Sequence, residues 1–161
     1  MYKVISTFSG IGGSSLGYKM AGLKVLAAVE FLDYQANNYK LNNPETKLYQ
    51  DDIRKLNPID ILNDLNLKVG ELDILDGSPP CSSFSTAGSI SEGWGKTKKY
   101  GNKVQKTDDL FYEYIRFIKA MQPKVFVAEN VSGLIKGKSK GMFNIFFNEM
   151  KFCGYNVKAK L

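Results

Sequence analysis

The sequence predicts an α/β fold, a mostly parallel sheet with helices on both faces. Three observations predict it. Short apolar runs bounded by Gly, Asp, Asn or Pro recur along the 161 residues; stretches long enough for helices separate them; and two of those stretches carry apolar residues at helical spacing. The length is that of one domain, and 43% apolar residues suffice for one core.

The elements follow in order. "YKVISTF" (2–8), "KVLAAVE" (24–30), "TKLYQ" (46–50), "LDILDG" (72–77), "KVFVAEN" (124–130) and "YNVKAKL" (155–161) have the length and apolar content of buried strands. After "TDD", which offers N-caps and early acidic residues, Leu110, Tyr114, Phe117, Ile118 and Met121 mark a helix that should stop before Pro123. A second helix is expected over 139–152, where Met142, Ile145, Phe146 and Met150 share a face and Gly154 follows as a stop. Residues 82–106 stand apart as a polar stretch with four glycines (Gly88, Gly93, Gly95, Gly101) and five lysines (Lys96, Lys98, Lys99, Lys103, Lys106). A stretch that long without periodicity is either a solvated insertion or a functional lid.

Composition narrows the chemistry. No apolar run approaches membrane-spanning length, and Met1 to Lys3 lead straight into an apolar segment with no export signal, so a cytoplasmic location is expected. Two cysteines, Cys81 and Cys153, make neither a disulfide framework nor a zinc site, and there is no histidine. Any catalysis therefore falls to Cys, Glu, Asp, Lys or Tyr, with no metal expected. The net charge of +6 favours a polyanionic partner.

In "TFSGIGGSSLGY" (7–18), Gly10, Gly12 and Gly13 follow the first strand and precede a helix, so a ligand can approach the backbone closely. Ser15 occupies the third glycine position of the dinucleotide fingerprint, and no Lys-Ser or Lys-Thr completes a Walker loop. Glu30 ends the second strand, where a carboxylate can accept hydrogen bonds from ribose hydroxyls. Asp51 and Asp52 lie just past the third strand. Asp52 either accepts the exocyclic amine of an adenine, with Ile53 covering the ring, or caps the next turn. The sharpest feature is "GSPPCSSFSTAG" (77–88). A free cysteine is most often buried filler. Here Pro79 and Pro80 fix the backbone just beyond a strand, which presents the Cys81 thiol at the crevice. "KVFVAEN" ends in Glu129 and Asn130, so neighbouring strands would set a nucleophile opposite a proton donor.

Taken together, "TFSGIGG", "VEF", "DDI", "SPPCSSFS", "DLFYEYIRFI" and "AENV" resemble, in order and approximate spacing, the first six motifs of cytosine-5 DNA methyltransferases. The resemblance covers essentially the whole chain. It implies a Rossmann-like, S-adenosylmethionine-dependent methyltransferase fold, double-stranded DNA as partner, S-adenosylhomocysteine as product, and a bacterial or phage restriction-modification type. By position, Phe8, Gly10, Ile11, Gly12 and Gly13 would surround the methionine part of the cofactor. Glu30 would bind its ribose, and Phe31, Asp52, Ile53 and Leu110 would surround its adenine. Cys81 would be the nucleophile in a loop shaped by Pro80; Glu129 would contact the flipped cytosine, supported by Asn130. Residues 82–106 would be the mobile catalytic loop, poorly ordered without nucleic acid, with Ser85, Lys96, Lys98, Lys99 and Lys103 facing the nucleic acid, while Trp94 and Tyr100 either stack on bases or anchor the loop.

The implied chemistry needs these residue types. Carbon 5 of cytosine is too weak a nucleophile to be methylated unaided, so a thiolate adds at carbon 6. A carboxyl with a raised pKa then donates to ring nitrogen 3. The base must leave the stack to be reached, at a cost of about a few kcal/mol. Two departures stand out. Ser82 replaces the glutamine usual after the nucleophile, and the family's later arginine-bearing motif, target-recognition domain and returning cofactor motifs do not follow "YNVKAKL". Residues 1–161 are therefore expected to be the N-terminal portion of a catalytic domain, incomplete at the C-terminus and inactive alone, with a second polypeptide as one source of the rest. Competing readings are a non-catalytic binding fragment of the same fold and cytosine-5 methylation of RNA, which the double proline before Cys81 also fits. An amino-group methyltransferase would have an aromatic residue in place of Cys81, and a nicotinamide dehydrogenase leaves Cys81 and Glu129 unexplained.

Overall fold

A computed structural model describes residues 1–80, 98–100, 103–105, 107, 109–132 and 140–160, those of 98–100, 103–105, 140 and 142 by backbone alone. The elements run β1 (Lys3–Thr7), α1 (Gly13–Met20), β2 (Lys24–Val29), α2 (Asp33–Asn42), β3 (Lys47–Tyr49), a 3-10 turn (Ile53–Lys55), α3 (Pro58–Asp64), β4 (Ile74–Gly77), β5 (Lys98–Tyr100), β6 (Lys103–Gln105), α4 (Leu110–Met121), β7 (Val125–Ala128) and α5 (Lys140–Phe152). β3, β2, β1, β4 and β7 form one sheet in that order, parallel throughout. The order reverses between β1 and β4, so the chain leaves those two strands toward opposite sides and opens a crevice at their carboxyl ends.

Alternation along the strands sorts the two faces. Ile5 and Leu75 join Ile61, Tyr114, Phe117 and Met150 in the main core, packed under α3, α4 and α5. Their neighbours Ser6 and Asp76 point to the opposite face, where the Tyr18 hydroxyl of α1 donates to Asp76 Oδ1 at 3.2 Å. There the Ser15 and Tyr39 hydroxyls, 2.8 Å apart, join α1 to α2. Local chemistry fixes the ends. Asn57 Oδ1 caps α3 by accepting from Ile59 N at 3.0 Å, with Pro58 in the first turn. α4 buries Leu110, Phe111, Tyr114, Ile115, Phe117, Ile118 and Met121, then ends at Gln122 in a left-handed conformation (φ 48°) before Pro123. α5 closes as the sequence predicts: Gly154 takes φ 90°, Gly154 N donates to Lys151 O at 2.9 Å and Tyr155 N to Met150 O at 3.1 Å.

Two elements differ from the sequence reading. Residues 155–160 form no strand. Their alternation marks which side chains face apolar surface: the Tyr155 ring stands 5.0 Å from Phe126 and Val157 packs on the core, but no ladder forms. Conversely, Lys98–Tyr100 and Lys103–Gln105, inside the stretch read as aperiodic, pair antiparallel, and the two residues between them in sequence are Gly101 and Asn102. Among the described residues, no helix is long and apolar enough to cross a membrane.

Asp76 is a buried carboxylate on the α1 face; only 4% exposed, it accepts from Ser6 Oγ at 3.1 Å and from Tyr18. Burial pushes its carboxyl above the ordinary value of 3.8, against the hydroxyls of Ser6, Tyr18 and Ser14, while Glu129 adds to the rise. A raised folded pKa means that the folded chain binds more protons than the unfolded one, so Asp76's contribution is fully present below pH 3.8 and is lost as pH rises through the folded value. Asp76→Asn removes that titration. Urea unfolding at a series of pH values should show the variant gaining on the wild-type chain as pH climbs, and a constant difference at every pH would contradict it.

Candidate active site

At the carboxyl ends of the strands lies a cleft of about 290 Å³. Phe8 and Gly10 come from the turn after β1; the end of β2, the link to α2 and its first turn contribute Val29, Glu30, Phe31, Leu32 and Gln35; Asp51 and Ile53 come from the segment after β3; Ser78 and Pro80 follow β4; Leu110 opens α4. The backbone is shaped for this. Phe8 adopts φ 53°, a left-handed conformation rare for an aromatic residue, and Gly10 takes φ 56°. A Cβ on Gly10 would meet no atom within 4 Å, so its missing side chain leaves open space against the cleft.

Glu30 is the electrostatic centre. Only 6% exposed, its Oε2 accepts from Gly10 N at 2.8 Å, and its Oε1 from Phe31 N at 2.9 Å and Leu32 N at 2.8 Å. With its amide turned so that nitrogen donates, Gln35 adds contacts of 3.1 and 3.3 Å to the two oxygens. One carboxylate thus ties the glycine turn after β1 to the start of α2. Phe31, Ile53 and Leu110 supply apolar walls, and the whole set suits a nucleoside: flat apolar faces, a carboxylate for hydroxyls and approachable backbone.

Of the residues expected to hold a cofactor, Phe8, Gly10, Glu30, Phe31, Ile53 and Leu110 come together in the cleft. Ile11, Gly12, Gly13 and Asp52 are not among its lining. Gly12 faces α2 instead, where a Cβ would stand 2.4 Å from Asn43 Nδ2 and 3.2 Å from the Tyr39 ring. Asp52 caps the 3-10 turn through Arg54 N and holds the Arg54 guanidinium, while its neighbour Asp51 lines the cleft. Val29, Leu32, Gln35 and Ser78 are lining residues the sequence reading passed over, and Asp51 is one it placed just past the third strand without assigning it a role. Asp51 stood beside a residue it singled out, and Gln35 sits four residues past Phe31, about one helical turn, a spacing that could have suggested it.

The second half of the site is the junction of β4 and β7. Gly77 pairs with Ala128, and Glu129 N donates to Gly77 O at 3.1 Å. Asn130 Nδ2 donates to Pro79 O at 3.1 Å, and its Oδ1 accepts from Val131 N at 2.9 Å. The amide thus staples the end of β7 to the double proline, and Pro80 lines the cleft. Glu129 is exposed at the same edge. Cys81, Ser85 and Lys96, with most of the 82–106 stretch, lie outside the described residues, as do the side chains of Lys98, Lys99 and Lys103. Among the described residues, no three His, Cys, Asp or Glu side chains gather as a metal site.

The parallel sheet, its reversal between β1 and β4 and the cleft at that point define a Rossmann-like methyltransferase fold. The same fold recurs in a prophage-encoded E. coli protein described as a DNA modification methyltransferase, with a TM-score of 0.73 at 31% identity over 94% of this chain and 38% of that one. It recurs in DNMT2 of Spodoptera frugiperda, with a TM-score of 0.65 at 26% identity over 95% of this chain and 41% of that one. Residues 2–161 match the C-5 cytosine-specific DNA methylase family, and the chain belongs to it. Among its relatives, the type II methyltransferase M.NgoPII of Neisseria gonorrhoeae is 37% identical over 96% of this chain and 40% of its own length. The type II methyltransferase M.FnuDI of Fusobacterium nucleatum is 36% identical over 99% and 41%. The chain thus spans about two fifths of the length of these relatives.

Proposed function

We propose that the chain is the cofactor-binding and nucleophile-bearing part of an enzyme that methylates carbon 5 of cytosine in double-stranded DNA. S-adenosylmethionine, bound in the cleft, supplies the electrophilic methyl group. Glu30 accepts from its ribose hydroxyls, Phe31, Ile53 and Leu110 flank its adenine, and the open backbone at Gly10 admits the methionine part. Asp51, already in the cleft, takes the adenine amine, with Asp52 as the alternative. Ile11, Gly12 and Gly13 shape the turn that carries Gly10.

The observation that most supports this reading is the Asn130 to Pro79 bond, which joins the strand end bearing Glu129 to the double proline preceding Cys81, beside the cleft. The Cys81 thiolate adds to carbon 6 of the extruded cytosine while Glu129 donates a proton to nitrogen 3, so the carbon 5–carbon 6 double bond becomes single, a carbon 4–carbon 5 enamine forms and carbon 5 becomes nucleophilic. Once carbon 5 has been alkylated, removal of its proton restores the double bond and expels the thiolate. Ser85 and the lysines Lys96, Lys98, Lys99 and Lys103 contact the nucleic acid. The segments that the relatives carry beyond this length complete the enzyme, in the same chain or in a second polypeptide.

The test is transfer of a labelled methyl group to DNA by the complete protein, with covalent trapping on DNA containing 5-fluorocytosine. Cys81→Ser should lower transfer by about 10⁴-fold or more and abolish trapping. Transfer that survives Cys81→Ser would refute the covalent route, and transfer to RNA but not DNA would replace the substrate.

A further inference from the structure

The chain holds only two arginines, Arg54 and Arg116, among 22 basic residues, and both act on the same joint. Arg116 of α4 reaches the 3-10 turn, donating from Nη2 to Ile53 O at 2.8 Å and from Nη1 to Leu56 O at 3.1 Å, while its Nε donates to Glu113 Oε2 at 2.7 Å. Arg54 reaches back the other way. Its Nη1 donates to both Asp52 oxygens at 3.0 Å, its Nε to Asp109 Oδ2 at 2.8 Å and its Nη2 to Asp109 Oδ1 at 2.5 Å.

These partners flank the cleft. Asp52 stands between Asp51 and Ile53, both lining residues, and Asp109 directly precedes Leu110, which lines the cleft from α4. A single planar guanidinium therefore bridges the carboxylates of Asp52 and Asp109, reaching from Arg54 to a residue 55 positions further along the chain, and sets the spacing between two walls. Lysine could not do this, because an ammonium offers a point charge without the fixed fork that engages a carboxylate through two parallel bonds. Of the chain's 22 basic residues the other 20 are lysine, so the fork is confined to the two positions that fasten this joint. Arg116 and the packing of Leu110 and Ile53, 1% and 3% exposed, already hold α4 against the turn. What Arg54 adds is the position of the carboxylates at the rim.

We propose that Arg54 is a positioning residue for the nucleoside end of the cleft, keeping Asp51 and Ile53 in register with Leu110 so that a purine fits between them. The assignment rests on the reading of the cleft as a nucleoside site. It touches no reacting atom, and its effect should fall on binding alone.

Calorimetric titration of S-adenosylhomocysteine, and separately of adenosine, into the chain and its Arg54→Lys variant tests it. Arg54→Lys should weaken both ligands by a similar factor, about tenfold, with a melting temperature close to that of the wild type. Asp109→Asn should weaken them in the same way, and the double variant should bind no worse than Arg54→Lys alone. A lower melting temperature with unchanged affinity would show a merely structural bridge and overturn the proposal, as would additive losses in the double variant. Amide hydrogen exchange without ligand separates this from the parent reading. Faster exchange at Ile53 to Lys55 and at Leu110 in Arg54→Lys supports the clamp, and unchanged exchange overturns it. Failure of the wild-type chain to bind either ligand would instead remove the nucleoside reading of the cleft, and the role of Arg54 with it.

Discussion

Gly77→Ala should abolish the stable fold. The position ends β4, and a Cβ there would lie 2.4 Å from Tyr114 Cε2, 2.6 Å from Thr7 Oγ1 and 2.8 Å from Tyr114 Cδ2. Neither neighbour can give way cheaply. Tyr114 is fully buried, and its hydroxyl donates toward Leu75 O at 3.0 Å and Val127 O at 2.7 Å, which locks the ring against both strands. Thr7 Oγ1 donates to Asp76 O at 3.0 Å. Overpacking alone costs about 1–3 kcal/mol, and each buried hydrogen-bonding group left without a partner about 1–3 more. Against a total stability of roughly 5–15 kcal/mol, that is enough to leave little folded chain. A urea denaturation midpoint equal to the wild type's would show that the sheet relaxes around the methyl group.

The second large effect is expected at Glu30. Glu30→Ala strips the acceptor from Gly10 N, Phe31 N and Leu32 N together. Hydrogen bonds to a charged group contribute about 1.5–3 kcal/mol each, so the turn after β1 and the start of α2 should lose their mutual alignment. Two such contacts to a ligand's ribose are worth roughly a hundredfold in affinity. Titration of S-adenosylhomocysteine should therefore show at least that loss. Glu30→Gln, which keeps one carbonyl oxygen, should fall between. If Glu30→Ala binds as tightly as wild type, the carboxylate serves the backbone only.

The division between what was legible and what was not follows from range. The three inner strands of the sheet, β2, β1 and β4, and α4 are written in local composition: "KVISTF" or "KVLAAV" is too apolar and too β-branched to sit anywhere but a buried strand. α4 likewise announces its core face by spacing. Most of the ligand cleft was legible too, because Phe8, Gly10, Glu30 and Ile53 stand at strand ends that a parallel sheet must bring to one edge. What escaped depended on contacts between distant segments. Which of Asp51 and Asp52 faces the cleft is decided by Arg54 and Asp109, 55 residues apart. Gly12 appeared as a third approach to the ligand, but Tyr39 and Asn43 of α2 claim its open side. "YNVKAKL" alternates like a strand, yet alternation states only which side chains meet apolar surface; a ladder also needs a partner in register. The reverse held at Lys98–Gln105, where Gly101-Asn102 was the hairpin signal and the surrounding lysines obscured it.

β7 bears a consequence for handling the protein. Among the described residues it has a ladder on one side only, and its segment, Val-Phe-Val-Ala, holds no proline and no charge. Val125 is 51% exposed and Val127 39%, next to a groove lined by Phe126, Phe143 and Phe147. Such a border is a template on which another extended chain can crystallise its own hydrogen bonds. A second extended segment laid along β7 would continue the sheet, and the net charge of +6, carried mostly by lysine, opposes such pairing between copies of the chain.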